Sequence, residues 1–132
     1  DRVTPYCETY DVGIIPYFPL ESGFLTGKYR RGTSPPEGGR LTGSPRGDEL
    51  LRDENFDRLD RLVVFAEERG HTLLDLAIAG LAAQPAVSSI IAGAIAPEQV
   101  VANVAAAGWT LGADDRADLD RVLPSPHPGR RV

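Results

Sequence analysis

Tyr17, Ser22, Gly23, Gly27 and Lys28 fall within one stretch, Ile14–Arg31, that begins apolar and ends basic. An aromatic at such a junction can stack on a flat heterocycle. Pro19 and Leu20 set the turn that follows it, and Ser22, Gly23 and Gly27 let backbone donors come close to an anion. Lys28 adds a point charge suited to phosphate. A second stretch, Ser88–Val104, has related chemistry. Its apolar run leaves through Gly93 and enters a helix near Pro97, whose free amides and positive dipole end point back at the loop. Gln99 and Asn103 lie four apart and share a stripe fit to read the edge of a base. Val100, Val104 and Ala107 form the adjacent stripe, expected to face the core. Taken singly, such residues more often serve a core, a turn or a solvated face. Two such loops together point to a nucleotide-type ligand.

Catalytic and metal chemistry are not encoded in the same way. His71 and His127 have no companion at ligand spacing, and no serine–histidine–acid or cysteine–histidine set can be assembled. Asp114, Asp115, Asp118 and Asp120 lack the glycine turn and terminal glutamate of a calcium loop, and helix-end charge accounts for them. The chain therefore offers binding residues, no catalytic residue and no metal site.

The net charge of −5 argues against nucleic acid as a partner. Lys28, Arg30, Arg31, Arg40 and Arg46 nevertheless cluster against one acid, Glu37, a local patch that suits a small anion. No apolar run approaches the ~20 residues that span a bilayer, and no leader opens the chain, so no membrane partner is expected. A single cysteine, Cys7, forms no internal disulfide and fits a cytoplasmic setting.

The elements that must position these loops follow from periodicity. Val3–Tyr10 reads as the tail of a helix, and Val12–Phe18 as a strand buried on both faces, weakened at Pro16. Ser22–Asp53 reads as loop, with seven glycines, three prolines and no period. Phe56, Leu59, Leu62, Val63 and Ala66 predict a helix over Glu54–Arg69, stopped by Gly70. Thr72 and Asp75 form a capping-box variant opening a second helix, Thr72–Gln84, which Pro85 ends. A second strand is expected at Val87–Ala92, then helices from Pro97 to about Ala107 and over Leu111–Leu123. Pro124–Val132 reads as a flexible proline-rich tail.

Strand, two helices, strand and helix predict parallel pairing with a right-handed crossover. Two strands cannot cover both faces and edges of a parallel sheet, so the chain reads as a piece of a larger α/β fold.

The motif residues also carry a family likeness. Tyr17-Phe18-Pro19-Leu20, Gly23, Leu25-Thr26-Gly27-Lys28-Tyr29, Gly93-Ala94 and Glu98-Gln99 with Asn103 resemble the C-terminal half of an aldo-keto reductase. The branch resembled is the bacterial one that also holds the potassium-channel β subunits. The resemblance implies a partial (β/α)₈ TIM barrel, its last two to three β/α units plus a C-terminal helix, filling residues 1–123. The cofactor implied is NADP(H), bound at the C-terminal ends of the strands, and the reaction is reduction of aldehydes or ketones to alcohols.

By the same resemblance Tyr17 stacks on nicotinamide, and Phe18, Pro19, Leu20, Ser22 and Gly23 line the pyrophosphate. Lys28 and Arg40 match basic positions near the phosphates, and Gly93, Gln99 and Asn103 match positions around the 2′-phosphate and adenine. Three departures bear on cofactor choice. Phe18 replaces a serine, Ile95 a small polar residue near the phosphate, and Ala102 a glutamate near adenine. The family's catalytic Asp, Tyr, Lys and His belong to the barrel's first half, missing here, and a full barrel needs about 250 residues. The isolated chain is accordingly expected to bind without turnover. Two other readings are a regulatory NADP-binding protein like the channel β subunits, and an unrelated anion-binding α/β domain.

Overall fold

The computed structural model describes residues 3–123. Among them are helices α1 (Val3–Thr9), α2 (Pro45–Leu50), α3 (Asp53–Glu67), α4 (Leu73–Ala82), α5 (Pro97–Ala106) and α6 (Ala113–Val122), with a 3₁₀ segment at Glu21–Thr26. The expectation of a flexible tail at 124–132 lies outside the described residues.

Local sequence explains the longer helices. Asp53 and Glu54 lead α3, which buries Phe56, Leu59, Phe65 and Ala66. Gly70, at φ 74°, turns the chain out of it. The Thr72 hydroxyl then accepts the Asp75 N–H at 3.2 Å while the Asp75 carboxylate accepts the Thr72 N–H at 2.8 Å. That reciprocal cap opens α4, whose Leu73, Leu76, Ile78 and Ala79 are buried. Asp114 and Asp115 open α6, and Arg121 closes it.

The two apolar segments meet the expectation of parallel pairing only in part. Among the described residues, the pairing is one parallel bridge, Ile14 with Val87, instead of two strands. Ile14 N–H donates to Ala86 O at 2.7 Å and Ser88 N–H to Ile14 O at 3.0 Å. Beyond that the ladder fades: Pro16 has no N–H to give, and Ile91 N–H reaches its carbonyl only at 3.5 Å. Phe18, at φ 53°, ends the extended run. Nor is Val12–Phe18 buried on both faces, since Val12, Ile15, Tyr17 and Phe18 are exposed. A parallel pair without neighbouring strands has nothing to hold it extended.

The long connection is also more ordered than its composition suggests. Composition predicts loop throughout Ser22–Asp53, yet the segment holds most of Glu21–Thr26 and all of α2. Three isolated apolar residues, Phe24, Tyr29 and Leu41, leave it and join Phe56, Leu59 and Leu73 in one core cluster. Tyr29 Oη accepts the Leu41 N–H at 3.2 Å. Outside, Arg31 meets Asp53 at 3.3 Å, Asp60 at 3.4 Å and Asp57 more closely, while Arg46 pairs with Glu21 and Glu49. Apolar anchors beneath and ion pairs above make the connection a strap fixed on α3.

A second cluster, Phe65, Ala66, Leu76, Ala79 and Leu111, joins α3, α4 and the approach to α6. Arg69 closes it from outside, 2.8 Å from both Asp115 and Asp118, with its guanidinium 3.7 Å from the Phe65 ring centroid. That hydrogen bond holds the Asp115 carboxyl below the usual carboxylate range, with Gly112 N–H assisting. His71 stacks on Trp109, ring centroids 3.9 Å apart.

The α5 stripe departs from expectation. Its one buried residue is Ala106. Val100 is 52% exposed, Val104 70%, and Ala107 is exposed as well, so this stripe faces away from the core. Val100, Val104 and Ala107 instead line an open second cleft together with Ile78 and Ala82 of α4 and with Val87 and Ile90 of the second apolar segment, which leaves them partly uncovered.

Candidate functional site

A cleft of about 430 Å³ opens between the strap and the start of α5. Its size lies within the range of small-molecule sites, roughly 300–1,000 Å³. Tyr17, Phe18, Pro19 and Leu20 form its aromatic end. Ser22, Gly23 and Lys28 come from the turn, Arg40 from the strap, and Gly93, Gln99 and Asn103 from the second loop and α5. Each residue that the resemblance makes a cofactor contact thus lines one cleft, whereas Gly27, named with Ser22 and Gly23 for its backbone, does not. Tyr17 and Asn103, 86 positions apart in sequence, share it.

The turn that carries the first group is conformationally costly. Phe18, Glu21 and Ser22 take left-handed backbone at φ 53°, 44° and 56°, ahead of Gly23 at 91°. Non-glycine residues in that region cost on the order of 1–3 kcal/mol each, and such strain clusters at binding sites. Here Glu21 N–H donates to Phe18 O at 3.0 Å, Gly23 N–H to Leu20 O at 2.8 Å, and the Glu21 carboxylate is held by Arg46. Gly23 has a further role. A Cβ there would lie 2.9 Å from Lys28 Cε and 3.0 Å from Nζ. The lysine folds back over the turn because glycine leaves it room.

Charge separates this cleft from the rest of the strap. Arg31 and Arg46 are neutralised by carboxylates, and those partners hold both guanidiniums protonated above their ordinary range. Lys28 and Arg40 have no carboxylate partner among the described residues, and no acidic side chain lines the cleft. Lys28 Nζ lies 5.2 Å from the Tyr29 ring centroid. Arg40 reaches across to the second loop, its Nη2 3.9 Å from where a Gly93 Cβ would stand. Two cations without carboxylate partners thus share this lining, Lys28 at the strained turn and Arg40 toward the second loop.

At the other end, Ile95 N–H donates to Gln99 Oε1 at 2.9 Å. The Gln99 amide NH₂ is then the group left for a ligand. Asn103 is half-buried beside it. The exposed Tyr17 ring packs edge-on against Phe18, centroids 5.3 Å apart. Aromatic, cationic and amide groups thus share the lining of one cleft.

Sequence reading missed Thr26, Gly38, Leu74 and Ile91 as lining residues. Leu74 was legible in principle, because α4 is apolar nearly all round and one of its faces had to meet something besides α3. Thr26 gave no signal: its hydroxyl donates to Gly23 O at 2.8 Å and so braces the turn.

The sequence profile described as the Aldo/keto reductase family matches residues 1–124. The chain belongs to that family. Among its relatives are a probable voltage-gated potassium channel subunit beta of Oryza sativa subsp. japonica and the NADH-specific methylglyoxal reductase of Escherichia coli (strain K12). The first is 36% identical over 104 residues, 77% of this chain and 32% of that protein. The second is 32% identical over 128 residues, 93% of this chain and 36% of that protein. The fold superposes on the glycerol dehydrogenase of Gluconobacter oxydans with a TM-score of 0.72 and 25% identity, covering 99% of this chain and 41% of that one. This aldo/keto reductase chain spans about a third of the length of the curated relatives it matches.

Proposed function

We propose that the chain is the cofactor-holding part of an aldo/keto reductase barrel, its last two to three β/α units occupying residues 1–123. The cleft between strap and α5 is read as the seat of a nicotinamide dinucleotide. One observation carries this reading: Lys28 and Arg40, both without carboxylate partners, line the same cleft as the exposed aromatics Tyr17 and Phe18 and the Gln99 and Asn103 amides. Tyr17 presents a face for the nicotinamide ring. The Ser22–Gly23 turn and Lys28 meet the pyrophosphate, and Arg40 closes over it from the strap. Gln99 and Asn103 take the adenine edge.

A nicotinamide dinucleotide supplies hydride exchange with a carbonyl carbon. The residues of this chain position it and exclude water; proton transfer to the carbonyl oxygen falls to groups outside these 132 residues. The whole protein's reaction in this reading is reversible reduction of an aldehyde or ketone, in the cytoplasm. The family resemblance suggested NADP(H), while one relative is named for NADH.

A second reading follows from the relatives named as channel β subunits, at 36% identity. There the site binds its dinucleotide and the protein acts through a partner. Both readings require binding by this cleft. Titration with NADH and NADPH, followed by ligand fluorescence, should show saturable binding that is lost in the Lys28→Ala, Arg40→Ala double variant. With a simple aldehyde added, no oxidation of NADH or NADPH is expected. Aldehyde-dependent turnover by the purified chain would refute the assignment of catalysis to polypeptide outside it.

A further inference from the structure

Resting on that reading of the cleft, we propose that Arg46, which does not line it, is a positioning residue. It holds the Glu21 carboxylate aside and so leaves Lys28 open to a phosphate. Glu21 is the one acid between Asp11 and Glu37, and it sits within the strained turn. Leu20 and Ser22 on either side of it line the cleft, and Glu21 does not. Gly23 follows two residues on, and the Lys28 side chain folds over it, Nζ 3.0 Å from where a Cβ would stand. Consecutive Cα atoms are about 3.8 Å apart, so Glu21 Cα stands at most about 7.6 Å from that of Gly23. A carboxylate released at that range would pair with Lys28 or repel a phosphate, with little screening at ordinary salt.

Arg46 prevents this because the strap presents it in a fixed place. It is the second residue of α2, after Pro45, and the Ser44 hydroxyl caps that helix by accepting the Gly47 N–H at 3.1 Å. Gly47 packs on the carbonyl of the buried Leu41, which ties α2 to the core. Glu49 accepts from Arg46 Nη1 at 3.1 Å, and Nη2 is directed to Glu21. The Arg46 side chain is 51% exposed and that of Glu21 36%, so the pair adds little to stability. What it decides is where one negative charge lies.

The test is titration of the full chain with NADH, for wild type, Arg46→Ala, Glu21→Gln and the double variant. Arg46→Ala should weaken NADH about tenfold, the scale of one lost charge-assisted hydrogen bond. Glu21→Gln should stay within twofold of wild type, and the double variant should return to within twofold. Lys28 is the one lysine of the chain, which gives a readout without ligand. Acylation of its ε-amine by a neutral reagent, followed by peptide mass, should slow severalfold in Arg46→Ala and recover in the double variant, because a nearby carboxylate favours the protonated amine. A purely structural tie would make Glu21→Gln as damaging as Arg46→Ala and leave the double variant weak. Either result overturns the inference, as does unchanged binding in Arg46→Ala, and all of these leave the dinucleotide cleft standing. Absence of NADH binding by wild type removes the cleft assignment itself, and the inference with it.

Discussion

Gly47, third residue of α2, shows how much of the site is fixed far from it. A Cβ there would lie 1.8 Å from the Leu41 carbonyl oxygen and 2.8 Å from its carbon, backbone atoms that cannot yield. Leu41 is in turn the most buried large side chain of the strap, 1% exposed, and its N–H is held by Tyr29. Gly47→Ala should therefore dislodge Leu41 and free the strap, read as faster amide exchange across residues 29–41. Leu41→Ala keeps the backbone contact and should lower unfolding free energy by about 2–5 kcal/mol in urea denaturation. In the cleft, Lys28→Ala and Arg40→Ala should each weaken dinucleotide binding about tenfold, the scale of one charge-assisted hydrogen bond in a partly solvated site. The chemistry of these residues was legible from type and spacing alone. The partnering was not. Nothing local distinguishes Arg40 from Arg31, because carboxylates from a helix more than twenty residues away neutralise one and not the other.

At the scale of elements, the helices were readable because their signals are local. Thr72 and Asp75 cap α4 within four residues, and Thr72→Ala should cost about 1 kcal/mol, measured as a lower denaturation midpoint. The Arg69–Asp115–Asp118 clasp between the turn after α3 and α6 has a defined pH dependence. The Asp115 carboxyl is depressed when folded, so its contribution is full above the ordinary aspartate value near 4 and is lost as pH falls through the depressed one. Thermal melts of wild type and Asp115→Asn should differ at pH 6 and converge as the solution is acidified below pH 4. A constant difference would remove the clasp from the acid limb. Strands were misread for the opposite reason. Short apolar runs in Val12–Phe18 and Val87–Ala92 specify a ladder whose persistence depends on neighbours. With one partner each, the described segments keep one bridge. The strap was misread as loop because three apolar anchors spread over eighteen positions have no period to detect.

Across the whole molecule, Val12, Ile15, Ile91, Val100, Val101 and Val104 are exposed along the bridged segments and α5. Soluble monomers seldom leave so many large aliphatic groups uncovered on neighbouring elements. In the proposed reading the remaining strands and helices of a barrel cover them. Sedimentation velocity of the chain alone should show association that rises with concentration and falls in a Val101→Ser, Val104→Ser variant. A monodisperse monomer with one cooperative melt would contradict the partial barrel. What tests the account most directly is hydrogen–deuterium exchange with and without saturating NADH. Protection is expected together at Tyr17–Lys28, around Arg40 and at Gly93–Asn103, with α1 and α6 unchanged. Protection confined to one of the two loops, or appearing elsewhere, would show that they do not close on a single dinucleotide.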